Sequence, residues 1–223
     1  MIVNKLNIAV VLSSGLESGG GYQYEFMVLN ILKKYHNNAN ISLNYYVPSY
    51  KILRDYSSLD LDIKILKENI FQKLHRLCLS NIYLYKVLNK MKFGISSIEK
   101  QFSENSIDLI YFLSPNLRSQ GLSNIPYIFT LWDLGHLEMP EFPEVSGDRV
   151  FELRESLYNG SLKKAIKVVV DSDFSKQYAI KKYNLDINRV QVLKYLPNIK
   201  TINPSKNIDI KQKYNLKNDY IFY

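Results

Sequence analysis

Short apolar runs alternate along the chain with stretches in which apolar residues recur at helical spacing. Leu6 to Leu12 is apolar but for Asn7, as expected of a strand covered on both faces. A glycine loop follows, then a predicted helix over 22–35 with Phe26, Leu29, Ile31 and Leu32 on its buried side. Ile41 to Val47 reads as a second strand, stopped by Pro48, and Leu61 to Leu66 as a third, with a short helix at 50–56 between them. A long helical region at 69–91 repeats Ile70, Leu74, Leu77, Leu84, Leu88 and Met91, mostly at steps of three and four. Gly94 interrupts it, and Ser96 can cap a further helix to Glu104. Strands are predicted at 108–113, 126–131, 167–171 and 190–193, and helices at 148–165 and 173–183. Strands separated by helices imply right-handed crossovers, so the fold class is α/β, a doubly wound and mostly parallel Rossmann-like sheet.

Composition fits that reading and narrows the function classes. A chain of 223 residues, 46% hydrophobic, can bury a substantial core, and no Pro/Ser-rich tract or charge block predicts disorder away from the ends. No apolar run approaches the roughly 18 residues of a membrane span. The apolar N-terminal run leads into glycines rather than a small-residue cleavage site, so it reads as a buried strand and not a signal peptide. The single cysteine, Cys78, excludes an internal disulfide and fits an inert core thiol in a reducing cytoplasm. The net charge of +8 favours an anionic partner: a membrane surface, a phosphate-bearing substrate or nucleic acid. No recognised nucleic-acid-binding motif accompanies the charge, and nucleic acid is not expected.

The candidate chemistry gathers between Ile125 and Lys176. The strand at 126–131 runs into a polar turn holding Trp132, Asp133 and His136, and the strand at 167–171 ends at Ser172, where another helix begins. Ligands of open parallel sheets bind beyond the carboxyl ends of the strands, where these residues fall. Asp133 and His136 can hydrogen-bond sugar hydroxyls or move a proton. As structural elements, Asp133 would cap the turn and His136 would be exposed. The acidic residues from Glu138 to Glu155 lack the histidine or cysteine spacing of a metal site, so no metal is expected. Glu152 and Glu155 share one face of a helix that can border the same cleft. His36 and His75 lie in helical patterns near charged residues and read as structural.

Gly19, Gly20 and Gly21 fall between the first strand and the first helix, where glycines let a ligand approach the backbone and the helix N-terminus offers free N–H groups. The dinucleotide fingerprint fails because Tyr24 holds the third glycine position, and the phosphate-loop pattern fails because Gly21 stands where its lysine is required. Spacing alone leaves two readings: a tight strand-to-helix turn, or a loop close to a bound phosphate or sugar.

Taken in order, these segments resemble the N-terminal domain of family 4 glycosyltransferases, the large retaining group with the GT-B fold. The resemblance rests on the strand, triple glycine and helix from Ile8 to Met27, and on the stretch from Pro126 to Val145, PYIFTLWDLGHLEMPEFPEV. It continues through RESLY, SLKKA and VVVDSDFSKQYAIKKYNL to RVQVLKYLP. It implies two Rossmann-like domains facing a cleft, with the acceptor on the N-terminal domain and most of the nucleotide-sugar on the C-terminal one. The transfer would need no metal or cofactor beyond the nucleotide-sugar as donor substrate, and the acceptor would be a glycan or a lipid-linked glycan of surface-polysaccharide synthesis. Asp133 would lie by the transferred sugar or the acceptor hydroxyl, with His136 close by and the Gly19–Gly21 loop near the donor phosphates. The family often has histidine where this chain has Trp132, so stacking by the indole replaces any imidazole contact in this reading.

The resemblance divides the chain into an acceptor-side domain at 1–198 and a piece at 199–223 that holds a linker and the first strand of a donor-binding domain. That C-terminal domain would be missing from these residues, leaving the chain alone without transfer activity. Lys73, Arg76, Lys86 and Lys90 flank the apolar face of the 69–91 helix and can rest on an anionic membrane, giving a cytoplasmic protein at the inner membrane face. A solvated face on a core helix is the alternative. The second functional class is a non-catalytic binding domain or truncated product that associates with a partner or a membrane.

Overall fold

The structure, a computed structural model, describes residues 5–35, 40–68, 97–147, 149–195 and 210–218. Seven strands form one sheet: β1 (Leu6–Val11), β2 (Ile41–Val47), β3 (Ile63–Ile65), β4 (Leu109–Phe112), β5 (Tyr127–Thr130), β6 (Lys167–Val170) and β7 (Val190–Val192). All neighbours pair in parallel, in the order β3-β2-β1-β4-β5-β6-β7. The α/β Rossmann-like class is what the periodicity predicts.

The helices are α1 (Gly20–Lys33), α2 (Tyr50–Asp55), α3 (Ser97–Glu104), α4 (Gly135–Glu138), α5 (Pro143–Ser146), α6 (Val150–Ser161), α7 (Asp173–Tyr183) and α8 (Ile210–Tyr214). The alternation of strand side chains sends successive residues to opposite faces. Ala9 and Val11 therefore join a core with Phe102 of α3, Leu157 and Tyr158 of α6, and Tyr183 of α7. Val10 and Leu12 join a second core with Tyr22, Val28 and Leu29 of α1 and with Tyr56 after α2.

Local signals set the helix ends. Ser172 caps α7 by accepting the Ser175 amide at 3.2 Å, Asp173 stands in the first turn, and Lys181 and Lys182 stand in the last, each suited to the helix dipole. Asn184 then closes the helix in the left-handed region at φ 49°.

Three boundaries differ from the sequence reading. Helix α1 begins at Gly20, so Gly20 and Gly21 lie in its first turn rather than in a loop. Gly19 makes the turn at φ 54°, ψ −111°, a conformation open to glycine, and the helix starts directly behind it. The loop after β5 folds into α4 and α5. Helix α6 stops at Ser161, because the chain must turn there to enter β6. The predicted 69–91 helix, Cys78, His36, His75 and the Tyr220–Tyr223 strand lie outside the described residues. Among the described residues no helix is long and apolar enough to cross a membrane.

Candidate functional site

Strand order reverses direction at β1: the chain goes out to β2 and β3 on one side, then returns to β4 on the other. The loops leaving β1 and β4 therefore part, and a crevice opens at the carboxyl edge between them. Ser13 follows β1, Pro115 and Asn116 follow β4, and Trp132 and Asp133 follow β5. With Leu153, Arg154, Leu157 and Tyr158 of α6 they line a cavity of about 370 Å3. That volume lies within the range of small-ligand sites.

The first wall hangs on Glu25. Its side chain comes from α1 and is 0% exposed. Its carboxylate accepts the Ser13 amide at 3.0 Å, the Ser14 amide at 3.0 Å and the Tyr56 hydroxyl at 2.8 Å. Burial raises its pKa, and these donors oppose the rise. Ser13, so placed, accepts from the Asn116 amide at 2.7 Å, which ties the end of β1 to the end of β4. Further along the same loop Asp55 accepts the Leu16 amide at 2.9 Å. A Cβ on Gly15 would fall 2.6 Å from that carboxylate and would push the Asp55 side chain aside.

Gly21 is crowded by a bulkier side chain. A Cβ there would lie 2.4 Å from Trp132 Cη2 and 2.8 Å from Cζ3. The indole covers this glycine while its N–H donates to the Leu113 carbonyl at 3.2 Å. Nothing lies within 4 Å of a Cβ built on Gly19 or Gly20, so those two face open space. Of the three glycines, Gly21 admits the tryptophan and the other two leave the backbone accessible.

Asp133 is the half-exposed acid of the cavity, with its side chain 52% exposed. Its Oδ1 accepts the Gly135 amide at 2.9 Å and Arg154 Nη1 at 2.5 Å, which leaves Oδ2 for a ligand. His136 is 0% exposed and lines no part of the cavity. The turn after Asp133 passes into α4 and carries the imidazole inward, against Phe151 and Tyr158. There Nε2 lies 3.1 Å from Glu155 Oε1, which also accepts the Tyr183 hydroxyl at 2.6 Å. Burial lowers the pKa of His136, with Glu155 pulling the other way. Burial acts to raise the pKa of Glu155, yet Tyr183, His136 and Lys182 outweigh it and the net shift is downward. Asp133 and His136 thus stand in different layers: the acid at the cavity, the imidazole behind it.

Ser172 spends its hydroxyl on the α7 cap and on Asp171 Oδ1 at 3.0 Å, and it does not line the cavity. Lys73, Arg76, Lys86 and Lys90 lie outside the described residues. Sequence reasoning missed Ser13, Asn116, Arg118 and Glu25. Glu25 left one trace, a charged residue among the aromatic and aliphatic side chains of a core helix. The cavity also draws on Arg118, whose Nε and Nη2 grip both oxygens of Glu68 at 2.9 and 2.8 Å. The two walls are bolted together below the cavity. Ser119 and Ser161 share a hydroxyl bond of 2.7 Å, Gln120 donates to the Ser156 carbonyl at 2.7 Å, and Lys164 donates to the Gln120 carbonyl at 2.8 Å.

No protein-family model matches the chain, and no curated protein does. A solved structure is similar. A glycosyltransferase from Rickettsia africae ESF-5 superposes with a TM-score of 0.53 at 16% identity, over 97% of this chain and 51% of that one. The likeness shows a shared Rossmann-like α/β fold, and the chain spans about half the length of that protein.

Two expectations follow from this geometry. Gly21→Ala forces the indole off its seat, so the emission of Trp132, the single tryptophan, shifts to longer wavelength as the ring meets water. An unchanged spectrum would show that the contact is not tight. His136 resists protonation in the fold and takes a proton readily in the unfolded chain, where its pKa is about 6.5. Its contribution to stability is therefore complete above pH 6.5 and lost as pH falls toward the lowered folded value. Thermal midpoints measured across that interval should drop more steeply for the natural chain than for His136→Phe.

Proposed function

We propose that this chain is the acceptor-side part of a retaining glycosyltransferase of the family 4 type. It would act in the transfer of a sugar from a nucleotide-sugar to a glycan or lipid-linked acceptor in surface-polysaccharide synthesis. The observation that carries the reading is Asp133: a half-exposed carboxylate with one free oxygen, at the switch-point crevice of a fold shared with a glycosyltransferase. In the proposed reaction the bond from the anomeric carbon to the nucleotide phosphate breaks, the acceptor oxygen bonds to that carbon, and the hydroxyl proton is released. Asp133 Oδ2 accepts the acceptor hydroxyl and orients it, while Arg154 holds Oδ1. His136 acts from behind, by fixing the α4 turn against Glu155 of α6. The open backbone at Gly19 and Gly20 lies on the side where the donor phosphates approach in this reading. No cofactor beyond the nucleotide-sugar takes part, and the donor would be held mainly by a second Rossmann-like domain outside these 223 residues.

The chain alone is expected to transfer no sugar from any of a panel of nucleotide-sugars, and product in that assay refutes the half-site reading. In an enzyme completed by a donor-binding domain, Asp133→Asn should lower kcat by about 100-fold, the lower range for loss of a positioned acid-base group. An unchanged kcat removes Asp133 from the mechanism.

We further propose a cytoplasmic protein that rests on the inner membrane face through Lys73, Arg76, Lys86 and Lys90. The support is compositional: between Lys64 and Lys92 seven basic residues are opposed by Glu68 alone. Each basic residue near an anionic surface contributes about 1 kcal/mol. The chain should float with vesicles rich in phosphatidylserine and not with neutral ones, and reversing the four charges to Glu should abolish flotation. Equal recovery with both vesicle types rules the membrane role out.

A further inference from the structure

The cavity beside Asp133 holds charged side chains that cancel in pairs. Arg118 is locked to Glu68 through two parallel bonds, with the side chains only 9% and 10% exposed. Arg154 is closed on Asp133. The polar groups left on the wall are neutral: the Ser13 hydroxyl and the Asn116 amide, bonded to each other, and the Tyr158 hydroxyl. Leucines of α6 and the indole of Trp132 make up much of the remainder. A balanced cavity in a chain of net charge +8 has a consequence for what it admits. An anion that reaches the donors left on Arg154 or Arg118 meets the paired carboxylate of Asp133 or Glu68 beside them, and that repulsion offsets much of the attraction. A cation that approaches Asp133 Oδ2 meets the Arg154 charge beside it. An uncharged polyol breaks neither pair. Its hydroxyls reach Asp133 Oδ2, Ser13 and Asn116, and its C–H face lies on leucine and indole.

We infer that the acceptor unit seated in this cavity is a neutral sugar, a hexose or N-acetylhexosamine, and not a uronate or a sugar phosphate. The inference rests on the acceptor-side reading proposed above and adds the charge class of the substrate. Selectivity comes from the pairing itself: each arginine presents its charge to a neighbour before any ligand arrives.

Trp132 lines the cavity and is the single tryptophan, so its emission reports occupancy without a label. The full chain is titrated with methyl hexosides of gluco, galacto and manno configuration, their N-acetylated forms, the matching methyl uronates and hexose 6-phosphates, with calorimetry as the second readout. At least one neutral glycoside should bind in the millimolar range or tighter, about fivefold better than its charged counterpart. Its affinity should change less than about twofold between low and physiological salt. Asp133→Asn leaves Arg154 without its charged partner and should move the neutral-over-uronate ratio by about fivefold toward the uronate. A uronate or phosphate that outbinds the neutral sugar in the natural chain overturns the inference while the acceptor-side reading stands. An unchanged ratio in Asp133→Asn also overturns it, since selectivity then has another source. If no saccharide of either class binds, the acceptor-side reading falls, and the inference with it.

Discussion

Glu25 sits beneath the end of β1 with its carboxylate shut away from water and its oxygens taken by two backbone amides and a phenol. The strands of a covered parallel sheet must hand their last amides to something as they leave the ladder, and at β1 that something is this carboxylate. Tyr56 completes the arrangement, since its hydroxyl also lies 3.0 Å from the Ser14 carbonyl. The direction of the Ser13 side chain follows, then its bond to Asn116, and then the position of the whole β4 loop against β1. Without the carboxylate, the Ser13 and Ser14 amides would lose their acceptor together, a loss of the kind that costs about 1–3 kcal/mol for each buried group. The buried acid thus fixes the end of β1 where it borders the crevice.

The opposite side is organised by a helix. Successive residues on α6 point about 100° apart, so Arg154 and Glu155 face different surroundings although they are adjacent in sequence. Arg154 turns to the cavity and meets Asp133, while Glu155 turns inward to His136 and Tyr183. One helix thereby orders two layers, a wet charged pair in front and a dry hydrogen-bonded cluster behind. The histidine that looks like a reagent in the sequence belongs to the second layer.

Much of the fold was legible from the chain, and the reason is physical. Strands β1, β2, β4, β5 and β6 are short apolar runs because both their faces are covered, and α7 carries its own caps in Ser172 and Asn184. The helix starts and stops that depend on packing were not legible. The beginning of α1 depends on one glycine torsion, and α4 and α5 arise where the β5 loop folds onto α6. At the candidate site, Asp133 and Trp132 could be found because they follow a recognisable strand. Ser13, Asn116 and Arg118 could not, since they are ordinary loop residues until the switch point brings three strand ends together. The role of Gly21 was hidden for a related reason: what it accommodates is an indole from a distant segment and not the backbone of its own turn.

The bolts between the β4–β5 connection and α6 give the site a mechanical character. Ser119 to Ser161, Gln120 to Ser156 and Lys164 to Gln120 join the segment behind Asn116 and Arg118 to the helix that presents Arg154. The first two joints are buried, and breaking either strands a polar group. The two sides of the cavity therefore travel as a single block. Any change in the spacing of these two sides has to break those buried bonds first.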